Sequence, residues 1–263
     1  MKDWHQSGIE DYWICGERYR RNHVTGEVSA DSASNLMGKA VHEAMAWGLK
    51  ALKDNGELVS LDQMAVYASD VFYDLVGEDE ESEDPIPWGE GVIDDRAHEA
   101  NVMASSLWES IPGLLVTYGE PLSVEQSFSG VPVTPTAKIA GTWDLLTEDY
   151  YILDWKTSRN SWRPGDEFKK IQPVVYARGV EHVTGKWPEG FIYVVVNRRG
   201  DVRVKPVPVP KEKLVFLQAT LDQLERARQS NIYPMNPTSG LCSETYCTWF
   251  RRGCPAAILK GAA

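Results

Sequence analysis

The sequence lacks any long apolar run. Nowhere in its 263 residues does a hydrophobic stretch approach the length of about 20 residues that crosses a bilayer as a helix. The opening stretch, MKDWHQSGIEDYW, has acidic residues where a secretory signal needs an apolar core. We therefore expect a protein of the cytoplasm that has no membrane association.

Positive charge is also in short supply. The chain has 27 Lys and Arg against 38 Asp and Glu, which gives a formal net charge of −11. This balance argues against nonspecific binding to nucleic acid over the whole surface, although a local basic groove would be compatible with it. Part of the acidic excess lies in EDEESED, residues 78–84, which favours a solvated loop. Basic residues cluster elsewhere, at positions 18–21, 169–170, 198–199 and 251–252.

A phosphate-binding loop is absent as well. The segment GVEHVTGKW, residues 179–187, is superficially similar to one, but five residues separate its glycines and no Ser or Thr follows the lysine. The sequence also shows no internal repeat and no flexible linker. No ATPase is indicated, so any unwinding of nucleic acid would need another chain.

Cysteine is scarce but unevenly placed. In a chain without a secretion signal, the four cysteines are not expected to form two disulfides. Cys15 is isolated near the start, whereas Cys242, Cys247 and Cys254 are spaced C-x4-C-x6-C in a polar, turn-rich tail. Four unrelated buried thiols would be one explanation. Crowding of three cysteines in such a tail more often reflects thiolate ligation of zinc or of an iron–sulfur cluster.

The pattern of apolar residues is that of an α/β protein, with a helical first part followed by strands. Helical periodicity covers 34–56, 61–76, 93–111, 168–183 and 211–229. Strand patterns cover 121–130, 133–148, 150–158, 190–197 and 201–209. The third helix is expected to end before Pro112, and the fourth to begin near Ile171 with Pro173 in its first turn, because proline is tolerated there but not deep inside a helix.

The stretch YYILDWKTS places an acid and a lysine in a buried strand. Alternation along the strand puts Asp154 and Lys156 on one side and Trp155 on the other. An ordinary ion pair at a strand end would explain this motif taken alone. The preceding strand carries Asp144, and a short turn between the strands would set it beside Asp154. Two converging carboxylates repel each other unless a cation lies between them, and oxygen ligands suit Mg²⁺ or Mn²⁺.

Four short motifs follow one another along the chain: Gly38-x-x-x-His42, Gly141-Thr142-Trp143-Asp144, Asp154-Trp155-Lys156 and Gln172-x-x-x-Tyr176. In this order, and on these element types, the chain resembles the PD-(D/E)xK nuclease superfamily, in particular its RecB-like branch. The resemblance implies an α/β, restriction-endonuclease-like core, a central mixed sheet flanked by helices, with a helical N-terminal elaboration and a C-terminal cysteine cluster. It implies one nuclease domain over 1–263, divided into a mainly helical part at 1–115, a core at 116–230 and a cysteine-rich tail at 231–263.

The resemblance also implies roles for individual residues. The implied ligands of a divalent cation, Mg²⁺ or Mn²⁺, are His42, Asp144, Asp154 and the backbone carbonyl of Trp155. Lys156 would orient or help to deprotonate the attacking water and offset the developing charge on the phosphate, and Glu125 would be the family's additional acid. Gln172 and Tyr176 would share the helical face that packs against the site and meets DNA. Taken singly, His42 and Tyr176 would be ordinary packing residues.

The cysteines resemble the same branch. AddB-type and CRISPR-associated exonucleases carry one cysteine before the nuclease core and three after it, which together hold a 4Fe-4S cluster, and the segments SGIEDYWICGERY and CTWFRRGCP are similar to the family's. The resemblance implies a cluster held by Cys15, Cys242, Cys247 and Cys254, as a clamp between the two ends of the chain. The family's tail is nearer C-x2-C-x5-C and has proline where Gly16 stands here, so zinc remains an alternative.

The function implied by the resemblance is that of a metal-dependent deoxyribonuclease. We expect an exonuclease that hydrolyses phosphodiesters in single-stranded or end-containing DNA, with a helicase or a recombination or CRISPR protein as partner. One alternative is a DNA- or helicase-binding module of the same fold that does not cleave, although such proteins usually lose the lysine or an acid. The other is a nonenzymatic iron–sulfur or zinc protein whose acids are structural.

Overall fold

The computed structural model describes residues 2–27, 29–82, 85–86 and 88–261. The helices are α1 (Gln6–Ile14), α2 (Gly16–Tyr19), a π-helical turn (Arg20–Thr25), α3 (Ala33–Asn55), α4 (Leu61–Glu80), α5 (Val92–Tyr118), α6 (Gln172–Thr184), α7 (Leu214–Gln229), α8 (Thr248–Arg251) and α9 (Pro255–Leu259). The strands are β1 (Pro121–Pro132), β2 (Lys138–Thr147), β3 (Tyr151–Ser158), β4 (Gly190–Asn197) and β5 (Val202–Val207), and short 3₁₀ turns cover Asp166–Lys169 and Lys211–Lys213.

The five strands form one mixed sheet in the order β1-β2-β3-β4-β5. Strands β2 and β3 pair antiparallel, with Leu145 opposite Leu153. Strand β3 pairs parallel with β4, and helix α6 makes the crossover that a parallel connection needs. Strands β4 and β5 then form an antiparallel hairpin. Every residue of β4 is buried, as expected of an inner strand covered on both faces.

Helices α3, α4 and α5 pack against one face of the sheet. Their apolar stripes form a continuous core with Leu153 and Trp155 of β3 and with Ile192 and Val194 of β4. Because these residues alternate along their strands, the intervening positions project from the opposite face. Trp155 thus lies in the core while the acid and the lysine on either side of it face away, as the alternation predicts.

The predicted element types are confirmed, with three errors at their ends. Helix α5 does not end before Pro112 but continues to Tyr118. Proline removes one backbone hydrogen bond, yet Leu114 and Leu115 beyond it are buried in the core, and this packing stabilises the last turns. The second predicted strand, 133–148, begins five residues later than predicted, because 133–137 form a turn before β2.

The third error concerns the acidic segment 78–84. It is not a loop throughout, because α4 extends to Glu80 and Asp79 is buried. Oδ2 of Asp79 accepts a hydrogen bond from the backbone N–H of Ile86 at 2.8 Å, which explains why an acid in this run is turned inward. Residues 83 and 84 lie outside the described residues.

The contacts divide the chain into two compact units. One comprises residues 31–128 and 142–211 and contains α3 to α6, β3 to β5 and most of the predicted motifs. The other comprises residues 1–30, 129–141 and 212–263, and therefore contains all four cysteines. None of the described helices combines the length and the apolar character needed to cross a membrane.

Candidate functional site

Three of the predicted side chains converge in the unit that contains β3. One ligand atom each from His42, Glu125 and Asp144 lies within 4.8 Å of the other two. These groups come from α3, β1 and β2, so the sheet and the first long helix jointly build the site. Asp144 is 6% exposed, and one of its oxygens, Oδ2, accepts a hydrogen bond from the backbone N–H of Trp155 at 2.7 Å.

Helix α3 reaches the sheet because it has a glycine at the point of approach. A Cβ atom on Gly38 would lie 3.2 Å from Oγ1 of Thr157, which is tighter than most side-chain contacts. One helical turn later, Nδ1 of His42 lies 3.4 Å from Oδ1 of Asp144. The spacing Gly-x-x-x-His therefore has a physical basis, since residues four apart share one helical face.

The charges of His42 and Asp144 stabilise each other. Burial alone would lower the pKa of His42, but the nearby Asp144 carboxylate outweighs it and raises the pKa to about 9. Burial would likewise raise the pKa of Asp144, but the charge and contact of His42 lower it instead. A cation at this position would replace the imidazolium proton as the partner of the acid.

Glu125 is held in the site by an unusual backbone conformation. Its φ angle is +48°, in the left-handed region that non-glycine residues seldom adopt. Such conformations cost of order 1–3 kcal/mol and cluster at functional sites. Burial, with a further contribution from the charge of Asp144, raises the pKa of Glu125 to about 7. The structure thus places this acid, the predicted additional one, directly beside His42 and Asp144.

Asp154 lies next to this group, and its two carboxylate oxygens have different partners. Nε2 of Gln172 donates to Oδ1 of Asp154 at 2.7 Å, and Oδ2 forms an ion pair with Nζ of Lys156 at 2.6 Å. Burial raises the pKa of Asp154 to about 6; Lys156 opposes this shift, whereas Asp144 adds to it. A buried carboxylate whose pKa is raised in this way would be stabilised in its charged form by a nearby cation.

The donors match a hard divalent cation. Two or three carboxylates and one imidazole converge, and oxygen-rich sets of this kind bind Mg²⁺ or Mn²⁺. Asp154 lies farther from this set than the other two acids do, because neither of its oxygens lies within 4.8 Å of the ligand atoms of His42, Glu125 and Asp144 together. Trp155 contributes its N–H to Asp144 while its indole is buried in the core, and a role for its carbonyl stays a prediction.

Gln172 and Tyr176 begin α6 on one face, but they have different surroundings. Gln172 is buried against Asp154, as described above. The ring of Tyr176 packs near-perpendicular to Phe128, with 6.1 Å between centroids, and lies at the same distance from Phe191. Burial, followed by the charge of Asp154, raises the pKa of the Tyr176 hydroxyl. This tyrosine supports the site by packing.

Tyr193 is a site residue that sequence reasoning missed. It is fully buried on β4, its hydroxyl donates to Oε1 of Gln172 at 3.3 Å, and Nζ of Lys156 lies 5.8 Å from its ring centroid. It pairs in register with Asp154 across the parallel β3–β4 ladder. Alternation within GFIYVVVN puts Tyr193 on one face of its strand, but only the pairing of this strand with β3 shows that this face belongs to the site.

The four cysteines gather in the other unit. All are free thiols, and together they line one pocket whose remaining walls include Ile14, Leu241, Trp249 and Ala256. Burial raises the pKa of Cys242 and of Cys254, and each is raised further by the charges of the other cysteines. The backbone N–H of Gly16, next to Cys15, donates to the carbonyl of Pro234 at 2.9 Å, so the start of the chain contacts its tail here.

The spacing of these sulfur atoms is wider than that of the donors around His42. Among the described residues, no three of the four sulfurs lie within 4.8 Å of one another. Tetrahedral zinc with Zn–S bonds of about 2.3 Å would bring its thiolates to within about 3.8 Å of each other. The pocket is therefore more open than a preformed zinc site.

A mixed sheet that carries acids, an imidazole and a D-x-K lysine is the architecture of a nuclease-type fold. A model of the PD-(D/E)XK nuclease superfamily matches residues 4–255, nearly the whole chain. The chain therefore belongs to the PD-(D/E)XK nuclease superfamily, and the predicted fold class is confirmed.

Solved structures agree on the fold. The chain is similar to a proposed exonuclease from Eubacterium rectale, with a TM-score of 0.61 and 13% identity over 92% of this chain and 87% of that one. A second structure, of a protein named SSO0001, matches at 16% identity over 84% of this chain and 94% of that one. Its TM-score of 0.37 is too low to support an argument about the fold. No curated protein matches significantly.

Proposed function

We propose that this protein is a metal-dependent deoxyribonuclease of the RecB-like branch that acts as an exonuclease on single-stranded or end-containing DNA. The observation that carries the proposal is the grouping of His42, Glu125 and Asp144 within 4.8 Å, beside the Asp154–Lys156 pair. A site whose function had decayed would be expected to have lost one of these groups. Membership of the nuclease superfamily and the likeness to a proposed exonuclease support the same function.

The acids and the imidazole would hold Mg²⁺ or Mn²⁺, with Asp154 and the Trp155 carbonyl completing the ligand set. When bound, such a cation lowers the pKa of water and draws charge from the phosphate. Asp144 is oriented for this role by the N–H of Trp155, and Asp154 by Gln172. These hydrogen bonds fix the carboxylates before substrate arrives, which is how a site avoids reorganising during the reaction.

Lys156 would act on the reacting phosphate. Its side chain is 28% exposed while its partner Asp154 is 1% exposed, so the ammonium is the part of the pair that solvent or substrate can reach. There it would orient the attacking water and offset the negative charge that gathers on the phosphorus-bound oxygens. Asp154 and the Tyr193 ring hold the ammonium on this side of the sheet.

Labelled DNA tests the proposal. Purified protein with Mg²⁺ or Mn²⁺ should degrade 5′- and 3′-labelled linear single strands but not the circular form, and Lys156→Ala should reduce the rate by about 100-fold or more. Lys138→Ala, at an exposed lysine of β2, is the matched control and should cleave normally. Intact substrate at high enzyme concentration in both metals would overturn the proposal and favour a binding module. Cleavage of circles would overturn only the requirement for an end.

We further propose that the four cysteines hold a 4Fe-4S cluster with a structural role. Convergence of four thiols on one pocket supports it. Protein purified without oxygen should be brown and contain iron, and Cys247→Ser should lose both. Stoichiometric zinc without iron would show that the metal was wrongly assigned.

A further inference from the structure

Three arginines gather where β3 and β4 end. Arg159 directly follows β3, and Arg198 directly follows β4. Because Ser158 and Asn197 form the last pair in the parallel register of these strands, the two arginines lie side by side at the strand ends. Arg96 joins them from α5. Glu99 links two of the three, because it forms an ion pair with Arg96 and its Oε2 lies 3.4 Å from Nε of Arg198.

The charges in this group do not balance. Of the three guanidinium groups, those of Arg96 and Arg198 share the carboxylate of Glu99, so the three arginines with Glu99 carry an excess of positive charge in a protein of net charge −11. Burial lowers the pKa of Arg198; Glu99 opposes this shift, whereas the charges of Arg96 and Arg159 add to it. Among the described residues Arg159 forms no ion pair, and its side chain is exposed. Such a group would be stabilised by an anion with several oxygens.

The arginine group is connected to the cation site by one face of α3. An amino group of Arg198 donates to Oγ of Ser34 at 3.0 Å. Four residues later Gly38 contacts Thr157, and four residues after that His42 contacts Asp144. Residues at this spacing form one stripe, and eight residues of helix extend about 12 Å. The arginines therefore lie about 12 Å from the cation site, on the same side of the helix.

Strand β3 gives a similar separation by an independent route. Arg159 follows Lys156 by three residues, which is about 10 Å of extended chain. Six backbone bonds separate neighbouring phosphorus atoms of a DNA strand, so about two nucleotides of extended single strand span this distance. A strand whose scissile phosphate lies at Lys156 could thus place another of its phosphates at the arginines.

We propose that Arg96, Arg159 and Arg198 form a binding site for a backbone phosphate of the DNA strand, about two nucleotides from the bond that is cut. The inference rests on the proposed nuclease function, because it takes the position of the reacting phosphate from the cation site. Contacts to phosphate carry no sequence information, so the site would position the strand without selecting bases. It would also make substrates shorter than about four nucleotides bind poorly.

Binding without cleavage tests the site. Fluorescein-labelled single strands of 3 and 16 nucleotides would be titrated with protein in EDTA, and the anisotropy measured between 50 and 300 mM salt. We expect Arg159→Ala to raise the Kd for the 16-mer about tenfold and to reduce the salt slope by about 0.7. In the same variant the Kd for the 3-mer divided by the Kd for the 16-mer should fall, because only the longer strand reaches the arginines. Arg159→Lys should retain the slope, because it keeps the charge.

The control is Arg226→Ala, which removes an exposed arginine of α7 and changes the net charge equally. Its affinity should stay within twofold of that of the wild type, and thermal melting should show that all variants are folded. Cleavage of DNA combined with unchanged affinity in Arg159→Ala and Arg198→Ala overturns the arginine site and leaves the nuclease proposal intact. Arginine-dependent binding in a protein that cuts nothing supports the site and overturns the nuclease proposal.

Discussion

The two units of this protein carry two groups of potential metal ligands that differ in almost every physical respect. The site around Asp144 gathers oxygen and imidazole donors that are already close, ion-paired and held by hydrogen bonds. The cysteine pocket gathers four free thiols among apolar and aromatic side chains. The first donor set suits a hard cation, as the proposed function requires, and the second suits a softer, thiolate-bound metal centre.

The comparison also shows how each site depends on the fold. The donors of the first site are fixed by strand pairing and by the close approach of α3, so they need no metal to be positioned. The thiols lie in turns and at the ends of short helices, where local backbone hydrogen bonds hold the chain and no strand pairing does. We therefore expect a metal at the cysteines to stabilise the fold more, and a metal at Asp144 to matter more for activity.

The largest effect should come from Asp144→Asn. Losing the central carboxylate removes the cation's main anionic ligand, and cleavage should fall by roughly 10³-fold. Because Asp144 takes no part in the cysteine pocket, iron content and colour should stay at the wild-type level. Rates on labelled DNA and metal analysis measure both. A variant that loses iron along with activity would show that the two groups are not separate.

The converse substitution, Cys254→Ser, should act mainly on stability. Cys254 is 6% exposed and packs with Trp249, so losing its bond to a metal removes a clamp from this unit. We expect loss of the visible absorbance and a lower Tm, with cleavage retained at low temperature. Melting curves and rates at 20 °C measure this. An unchanged Tm would contradict a structural role for the cysteines.

The pH dependence of the metal-free protein should reveal the first site. The pKa of Glu125 is raised from 4.5 to about 7 and that of His42 from 6.5 to about 9, so both groups bind protons more tightly in the folded state. Stability should therefore fall as the pH rises from about 4.5 to 7 for Glu125 and from 6.5 to 9 for His42.

Melting temperatures in EDTA across this range measure the effect. The variant Glu125→Gln should make the decline below pH 7 shallower, although Asp154, whose pKa is raised to about 6, still titrates there, and it should leave the upper part, which is due to His42, in place. Mn²⁺ should raise the Tm more at pH 8.5 than at pH 6, because it displaces these protons. A wild-type Tm that rises with pH through this window would contradict the assignment.

The smallest effect should come from Tyr193→Phe. The hydroxyl contacts Gln172, which in turn holds Asp154, so Tyr193 acts as a positioning residue. Outer contacts of this kind cost about tenfold in activity or metal affinity. The affinity for Mn²⁺ should fall while the Tm stays near the wild-type value, because the ring is retained. Tyr73→Phe, at an exposed tyrosine of α4, should change neither. An unaltered affinity in Tyr193→Phe would show the hydroxyl to be incidental.

Local sequence patterns predicted the fold class and the proximity of Asp144 to Asp154, for a physical reason. The β2–β3 pair is joined by a short turn, so alternation alone was enough to set Asp144 near Asp154. Pro173 was correctly placed in the first turn of α6. Pro112 was misjudged because the burial of the residues beyond it, which stabilises the helix, depends on tertiary packing.

Features that depend on long-range pairing were beyond the reach of the sequence. The parallel β3–β4 register, which connects strands separated by a whole helix, brings Tyr193 to the cation site and Arg198 to the arginine group. The backbone of Glu125 is turned inward by a positive φ that no sequence pattern indicates. The mutual spacing of the four thiols likewise depends on how the two ends of the chain meet.

The most direct test of the central claim is a crystal structure of the protein soaked with Mn²⁺, with the ion located by its anomalous scattering. The account predicts a peak bonded to His42, Glu125, Asp144 and Asp154. A well-ordered protein with no peak there, or with Mn²⁺ bound elsewhere, would contradict it.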